Sequence, residues 1–216
     1  MSPTKLTVLI SGSGTNLQAI IDALPTTLPA ETNIVRVISN RKAAYGLHRA
    51  SKANISTKYH NLVSYKKKYE NDEKRAREEY DKDLAKMILE DGTDVVVCAG
   101  FMHILSEEFL GPLGEGGVSI INLHPALRGQ FNGANAIERA HKAFMDGEIT
   151  QTGVMIHYVI SEVDMGEPLL EVPIPLTHPD DDDIAALEER IHRIEHKAIV
   201  EGTRLAIEAH WKKRGQ

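Results

Sequence analysis

Five short apolar runs alternate with segments of helical period before residue 125, and few folds accept that alternation. The runs are LTVLIS (Leu6–Ser11), NIVRVIS (Asn33–Ser39), the weaker STKYH (Ser56–His60), DVVVCAG (Asp94–Gly100) and VSIINLH (Val118–His124). Helical patterns fall between them, over Thr15–Leu24, about Ala44–Ala53 and about Asp72–Glu90. A helix between two such runs is the crossover that parallel strands require, and these crossovers are right-handed. After Gly133 the pattern changes. A helix near Ala134–Met145 precedes GVMIHYVI (Gly153–Ile160) and PLLEVPI (Pro168–Ile174). The first alternates and the second contains Pro173, as antiparallel or edge strands do. A last helix is expected over about Asp183–His210. The chain therefore reads as α/β, a Rossmann-like, mainly parallel sheet with flanking helices and antiparallel strands near the C-terminus. No linker or repeat divides residues 1–216, so one domain is expected.

Composition removes several function classes. A net charge of −6 argues against nucleic acid or an anionic membrane as the main partner. The single cysteine, Cys98, excludes an internal disulfide and lies in an apolar run, where it reads as a small buried hydrophobe. No apolar stretch approaches the roughly 20 residues of a membrane span, and the N-terminal one is too short for a signal peptide. A cytoplasmic protein is expected. Ser64–Lys86 is dense in charges of both signs, as the solvated face of an amphipathic helix is. PDDDDI (Pro179–Ile184) reads as the cap of the last helix.

LTVLISGSGTNLQAI is a strand, a glycine turn and a helix start. Such a turn aims backbone amides at an anion, most naturally phosphate. A dinucleotide fingerprint wants a third glycine where Leu17 stands, and an acid where the second strand ends in Asn40, Arg41 and Lys42. NAD is disfavoured; NADP survives only through Arg41 and Lys42. At the other end of the sheet pattern, Asn122 and His124 share one face at the end of VSIINLH. An amide there can meet a developing oxyanion, and an imidazole can handle a proton near neutral pH. No Ser or Cys stands beside them, which favours direct attack by a substrate. Glu162, Asp164 and Glu167 in SEVDMGEP are the candidate acids. HRIEH (His192–His196) fits an inverted zinc-protease pattern but lacks a third ligand, so no metal is expected.

ISGSGTNLQAIID, VVVCAGFMHIL, INLHPAL, GVMIHYVISEVDMGEPLL and RIEHKAIVEG together resemble the glycinamide ribonucleotide transformylases, in order and spacing, over about residues 4–210. The single-function fungal forms are the most similar. The resemblance implies the formyltransferase fold, with a phosphate-binding half over about 1–100 and a folate-binding, catalytic half over about 101–216. It implies transfer of a formyl group from 10-formyltetrahydrofolate to the amino group of glycinamide ribonucleotide, in purine biosynthesis. Asn122, His124 and Asp164 would be catalytic. Gly14, Thr15 and Asn16 would take the substrate phosphate, and Glu195 would meet the nucleotide near its ribose. Arg77 would contact the folate. Met102, His103, Ile104 and Leu105 would wall one side of it, and Ile160, Ser161, Glu162, Val163 and Asp164 the other, with Asn122 between. Asp164 would hold His124 in its cationic form.

One departure stands out. Relatives carry a second proline in the loop after His124-Pro125, whereas ALRGQFNG has none, and Arg128 occupies its middle, facing a ligand anion or water. Rival readings remain. Methionyl-tRNA formyltransferases resemble longer chains with an RNA-binding domain. An NADP oxidoreductase needs a complete dinucleotide turn. A 10-formylfolate hydrolase, or a non-catalytic nucleotide- or folate-binding module, would keep the ligands without the transfer. The oligomeric state is left open.

Overall fold

The computed structural model describes residues 3–24 and 26–215. Its elements in chain order are β1 (Thr4–Ile10), α1 (Thr15–Ala23), β2 (Thr32–Ser39), α2 (Tyr45–Lys52), β3 (Thr57–Tyr59), α3 (Leu62–Lys68) and α4 (Glu73–Glu90). There follow β4 (Val95–Cys98), α5 (Glu107–Glu115), β5 (Ser119–His124), α6 (Ala136–Met145), β6 (Gln151–Tyr158), β7 (Pro168–Pro175) and α7 (Ile184–Lys213). All seven strands form one sheet in the order β3-β2-β1-β4-β5-β6-β7. The first five run parallel; β6 and β7 join antiparallel. Pro173 sits on β7, at the sheet's edge, where its missing N–H costs no ladder bond.

The apolar runs are continuous because the inner strands are buried on both faces. Val95 and Val97 of β4 enter one core with Leu6, Val8, Ile121 and Leu123. Val96 and Cys98 enter the other, with Leu9, Val118 and Ile120. Helices α1 and α7 cover the first face, and α4 and α5 the second. On β5 the two-residue period puts Asn122 and His124 on the same side as Ile120, the side of the second core.

Helix α7 buries a stripe of Leu187, Ile191, Glu195, Ala198, Ile199, Gly202 and Ala206, a 3.6-residue period interrupted by one carboxylate. Its N-cap is Asp183, whose side chain accepts from Ala185 N at 3.1 Å, so the acidic run does cap this helix. Asp181 is instead buried, accepting from Thr177 N at 2.8 Å and pairing with Arg190 at 2.9 Å. Two helices escape the sequence pattern. Helix α3 buries no residue, so it shows no apolar stripe. Helix α5 contains Gly111, Pro112 and Gly114, which hide it from any propensity argument.

Candidate active site

Sheet order reverses between β1 and β4: the chain leaves β1 towards β2 and leaves β4 towards β5. Ligands of such sheets bind at this switch point, outside the strand ends. The glycine turn after β1, the loop after β4 and the end of β5 all open there.

Gly14 is the N-cap of α1, with φ 71°, and no side chain caps the helix. The first amides of α1 are thus free to meet an anion. The turn lies against α2 with no room for side chains. A Cβ on Gly14 would stand 2.5 Å from Gly46 Cα, and Gly46 N donates to Gly12 O at 3.1 Å. Arg49 Nε donates to Ser13 O at 2.9 Å, tying the turn from the other side. Asn16 Nδ2 donates to Glu195 Oε2 at 3.2 Å, while Asn16 Oδ1 is buried without a partner. Glu195 itself is 6% exposed. A buried carboxylate with one neutral donor is poorly compensated, and additional donors such as sugar hydroxyls would complete it. Thr15, Arg49 and His196 border a cavity of about 240 Å³ beside α1.

At the end of β5 three sequence-predicted residues come together. Asp164 lies in the segment after β6, at φ 57°. Its Oδ2 is 3.4 Å from His124 Nδ1 and accepts Gly133 N–H at 2.7 Å. Its Oδ1 accepts from Asn122 Nδ2 at 3.4 Å. Gly166 makes this return possible: a Cβ there would fall 1.6 Å from the Tyr158 carbonyl oxygen. Of the three candidate acids, Glu162 is exposed and Glu167 pairs with Arg128 at 3.4 Å; only Asp164 is buried. Arg128 is exposed, and its backbone N–H reaches Glu171 at 2.9 Å.

The sequence reading missed His157. It faces Asn122 across the β5–β6 ladder, its Nε2 3.2 Å from Asn122 Nδ2 and 3.4 Å from Asp164 Oδ1. Its Nδ1 donates to Tyr158 O at 2.8 Å, which fixes the ring. Burial would raise the Asp164 carboxyl, but hydrogen bonds from His157 and the Gly133 amide, with the neighbouring imidazoles, hold it below the usual carboxylate range. Burial pushes His124 below the ordinary imidazole value, and the Asp164 charge only partly opposes this. Both ring nitrogens face acceptors, Asp164 and the Gln130 carbonyl at 3.2 Å.

In the loop after β4, Met102 and Ile104 are 66% and 59% exposed, unusual for apolar side chains. His103 turns inward to Asp81 at 2.6 Å, and Leu105 is buried, so these two anchor the loop by their side chains. Arg77 is exposed beside it and donates to Ile104 O at 3.3 Å. Ile160 and Val163 are exposed in the segment that carries Asp164, with Ser161 and Glu162 between them. His192 is exposed and His196 half-buried, and among the described residues no cluster of His, Cys, Asp or Glu could hold a metal. No helix among them is long and apolar enough to cross a membrane.

A family model described as formyl transferase matches residues 4–203. The chain belongs to the formyl transferase family. It is 54% identical over 199 residues to a phosphoribosylglycinamide formyltransferase of Schizosaccharomyces pombe, covering 91% of this chain and 93% of that one. The corresponding figure for the Saccharomyces cerevisiae phosphoribosylglycinamide formyltransferase is 46% over 206 residues, 92% and 95% of the two chains. Among solved structures, glycinamide ribonucleotide transformylase 1 of Symbiobacterium toebii superposes with a TM-score of 0.80 at 31% identity, covering 96% of this chain and 89% of that one.

Proposed function

We propose that this formyl transferase moves the formyl group of 10-formyltetrahydrofolate to the amino group of glycinamide ribonucleotide. The observation that carries the reading is the meeting of Asn122, His124 and Asp164 at one strand end, across the switch point from an uncapped glycine turn. The turn at Gly14, Thr15 and Asn16 takes the phosphate, and Glu195 accepts ribose hydroxyls. Met102, Ile104, Ile160 and Val163 offer apolar surface to the pteridine-bearing donor, and Arg77 offers a cation to its carboxylate end.

The substrate amine, with a pKa of roughly 8, attacks as the neutral base. Its lone pair forms the new C–N bond, and the formyl carbonyl becomes an oxyanion. Asn122 gives that oxygen an amide N–H in place of its long contact with Asp164. The attacking nitrogen, positive after the attack, gives its proton to His124, whose proton affinity the new negative charge raises, so the imidazolium belongs to the intermediate. Asp164 stabilises that imidazolium. His124 then passes that proton to the departing folate nitrogen as the old C–N bond breaks, leaving tetrahydrofolate and the formylated ribonucleotide. Holding both substrates together supplies much of the rate.

The test is a spectrophotometric assay for loss of the donor's formyl group, with and without glycinamide ribonucleotide, beside His124→Ala. Turnover that needs both substrates and His124 is expected. Deformylation indifferent to the ribonucleotide would make the protein a hydrolase, and binding without turnover would make it a regulatory module.

A further inference from the structure

The loop between β5 and α6 carries two groups that hold the catalytic pair. The Gln130 carbonyl faces His124 Nε2 at 3.2 Å, and the Gly133 amide donates to Asp164 Oδ2 at 2.7 Å. Between and beside these groups the backbone is strained. Phe131 and Asn135 adopt φ 49° and 56°, left-handed values that non-glycine residues reach at a cost of about 1 kcal/mol or more each. No proline follows Pro125 in this loop to fix its path. Something else must hold it.

Arg139 does so. From the second turn of α6 its guanidinium reaches back to donate to the carbonyls of Phe131 and Asn132, the latter at 2.8 Å. Its Nε is 3.4 Å from Asn135 O, and its guanidinium carbon stands 5.9 Å from the centre of the Phe131 ring. The helix does not need this side chain: α6 buries Ala136, Ile137, Ala140, Ala143 and Phe144, while Arg139 is exposed. An arginine whose Nη2 bridges two consecutive carbonyls of a strained loop, with its Nε near a third, fixes that loop's geometry.

We propose that Arg139 is a positioning residue for formyl transfer, holding Gln130 and Gly133 where they meet His124 and Asp164. The inference rests on the reading of the function above. The loop also bears on the proton of His124: the Gln130 carbonyl and the Asp164 charge both favour the His124 imidazolium against burial, so a loop freed from Arg139 changes the proton affinity of His124. A merely structural arginine would leave His124 unmoved.

The experiment uses the full chain with Arg139→Ala and Arg139→Lys, isotope-labelled at histidine. Three quantities are measured: the His124 titration midpoint by NMR without ligands, kcat, and KM for each substrate. In the alanine variant the midpoint should move downward, as the Gln130 carbonyl that favours the His124 imidazolium is released, and kcat should fall by about tenfold or more, with KM for the ribonucleotide unchanged. The lysine variant should restore only part of the midpoint and of kcat, because it lacks the Nε–H that reaches Asn135 O and the planar group that stands over the Phe131 ring. A wild-type kcat, or a lowered kcat with the His124 midpoint unmoved, would overturn the proposal. Should the alanine variant not fold, Arg139→Gln takes its place with the same two outcomes. If the wild-type protein transfers no formyl group, the functional reading fails, and the ligand-free titration still judges the role of Arg139.

Discussion

Asp164→Asn separates charge from shape at the centre of the site. The carboxylate lies 3.4 Å from His124 Nδ1, and both side chains are under a tenth exposed, so water screens the pair little. Unit charges at that distance, with an effective dielectric of roughly 20, attract by about 5 kcal/mol. That attraction exists only when His124 is protonated, which the mechanism places in the tetrahedral intermediate. Asparagine keeps the volume and one acceptor oxygen, so part of the interaction survives as a dipole. A loss of about 3 kcal/mol then corresponds to a fall of roughly a hundredfold in kcat. Neither substrate rests on the Asp164 charge before reaction, so both KM values should change little. Initial rates at saturating levels of both substrates measure the effect, with the circular dichroism spectrum confirming the fold. The resting His124 should also titrate lower in the variant, since the one group that raises its proton affinity by charge is gone. A kcat within about threefold of wild type would refute the assignment of the imidazolium to the intermediate. A loss expressed only in KM would refute it equally.

Glu195→Gln should raise KM for the ribonucleotide with little effect on KM for the donor, because the carboxylate is buried beside Asn16 of the glycine turn; equal changes in both constants would contradict the assignment. Gly46→Ala places a Cβ 2.4 Å from Ile10 Cδ1 and 3.1 Å from Gly14 Cα, and should cost about 1–3 kcal/mol of stability in a denaturant titration as well as weakening ribonucleotide binding. A neutral substitution would show that α2 can retreat from the turn. Burial holds His60, His124 and His210 below the ordinary imidazole value, so the unfolded chain takes up protons first as the pH falls. Stability should therefore decline as the pH drops below about 6.5, and the depressed Asp164 should add a further loss only below about pH 4. Thermal melts near pH 7.5 and about pH 5.5 test the first part, and equal midpoints would refute it.

The strands were readable because β1, β4 and β5 are covered on both faces, which makes each a nearly unbroken apolar run of strand length. Their boundaries shift by a residue or two, since pairing partners rather than propensity decide where a ladder ends. Helices α3 and α5 were not readable for opposite reasons. The first has no buried face to impose a period, and the second keeps its face, Phe109 and Leu113, behind Gly111 and Pro112. In both cases tertiary packing supplies what the local sequence does not advertise.

The site divides along a related line. Asn122 and His124 were legible because they break an apolar strand just where it ends, and polar groups in that place cost burial energy that a structural role would not repay. Asp164 was one of three acids, and nothing local ranked them; the selection comes from Gly166, whose bare backbone lets the chain fold back over Tyr158. His157 had no local signal. It alternates correctly within β6, and its meaning depends on an antiparallel register that sets it opposite Asn122. The connection fixing that register runs through the β5–β6 crossover and α6 rather than a hairpin turn, so no turn type could reveal it. Arg139 is hidden for the same reason, being an exposed charge on an amphipathic helix until the loop it clamps is seen. Residues that touch substrate declare themselves by violating a pattern. Residues that position them obey every local rule, and only the assembled fold gives them a target.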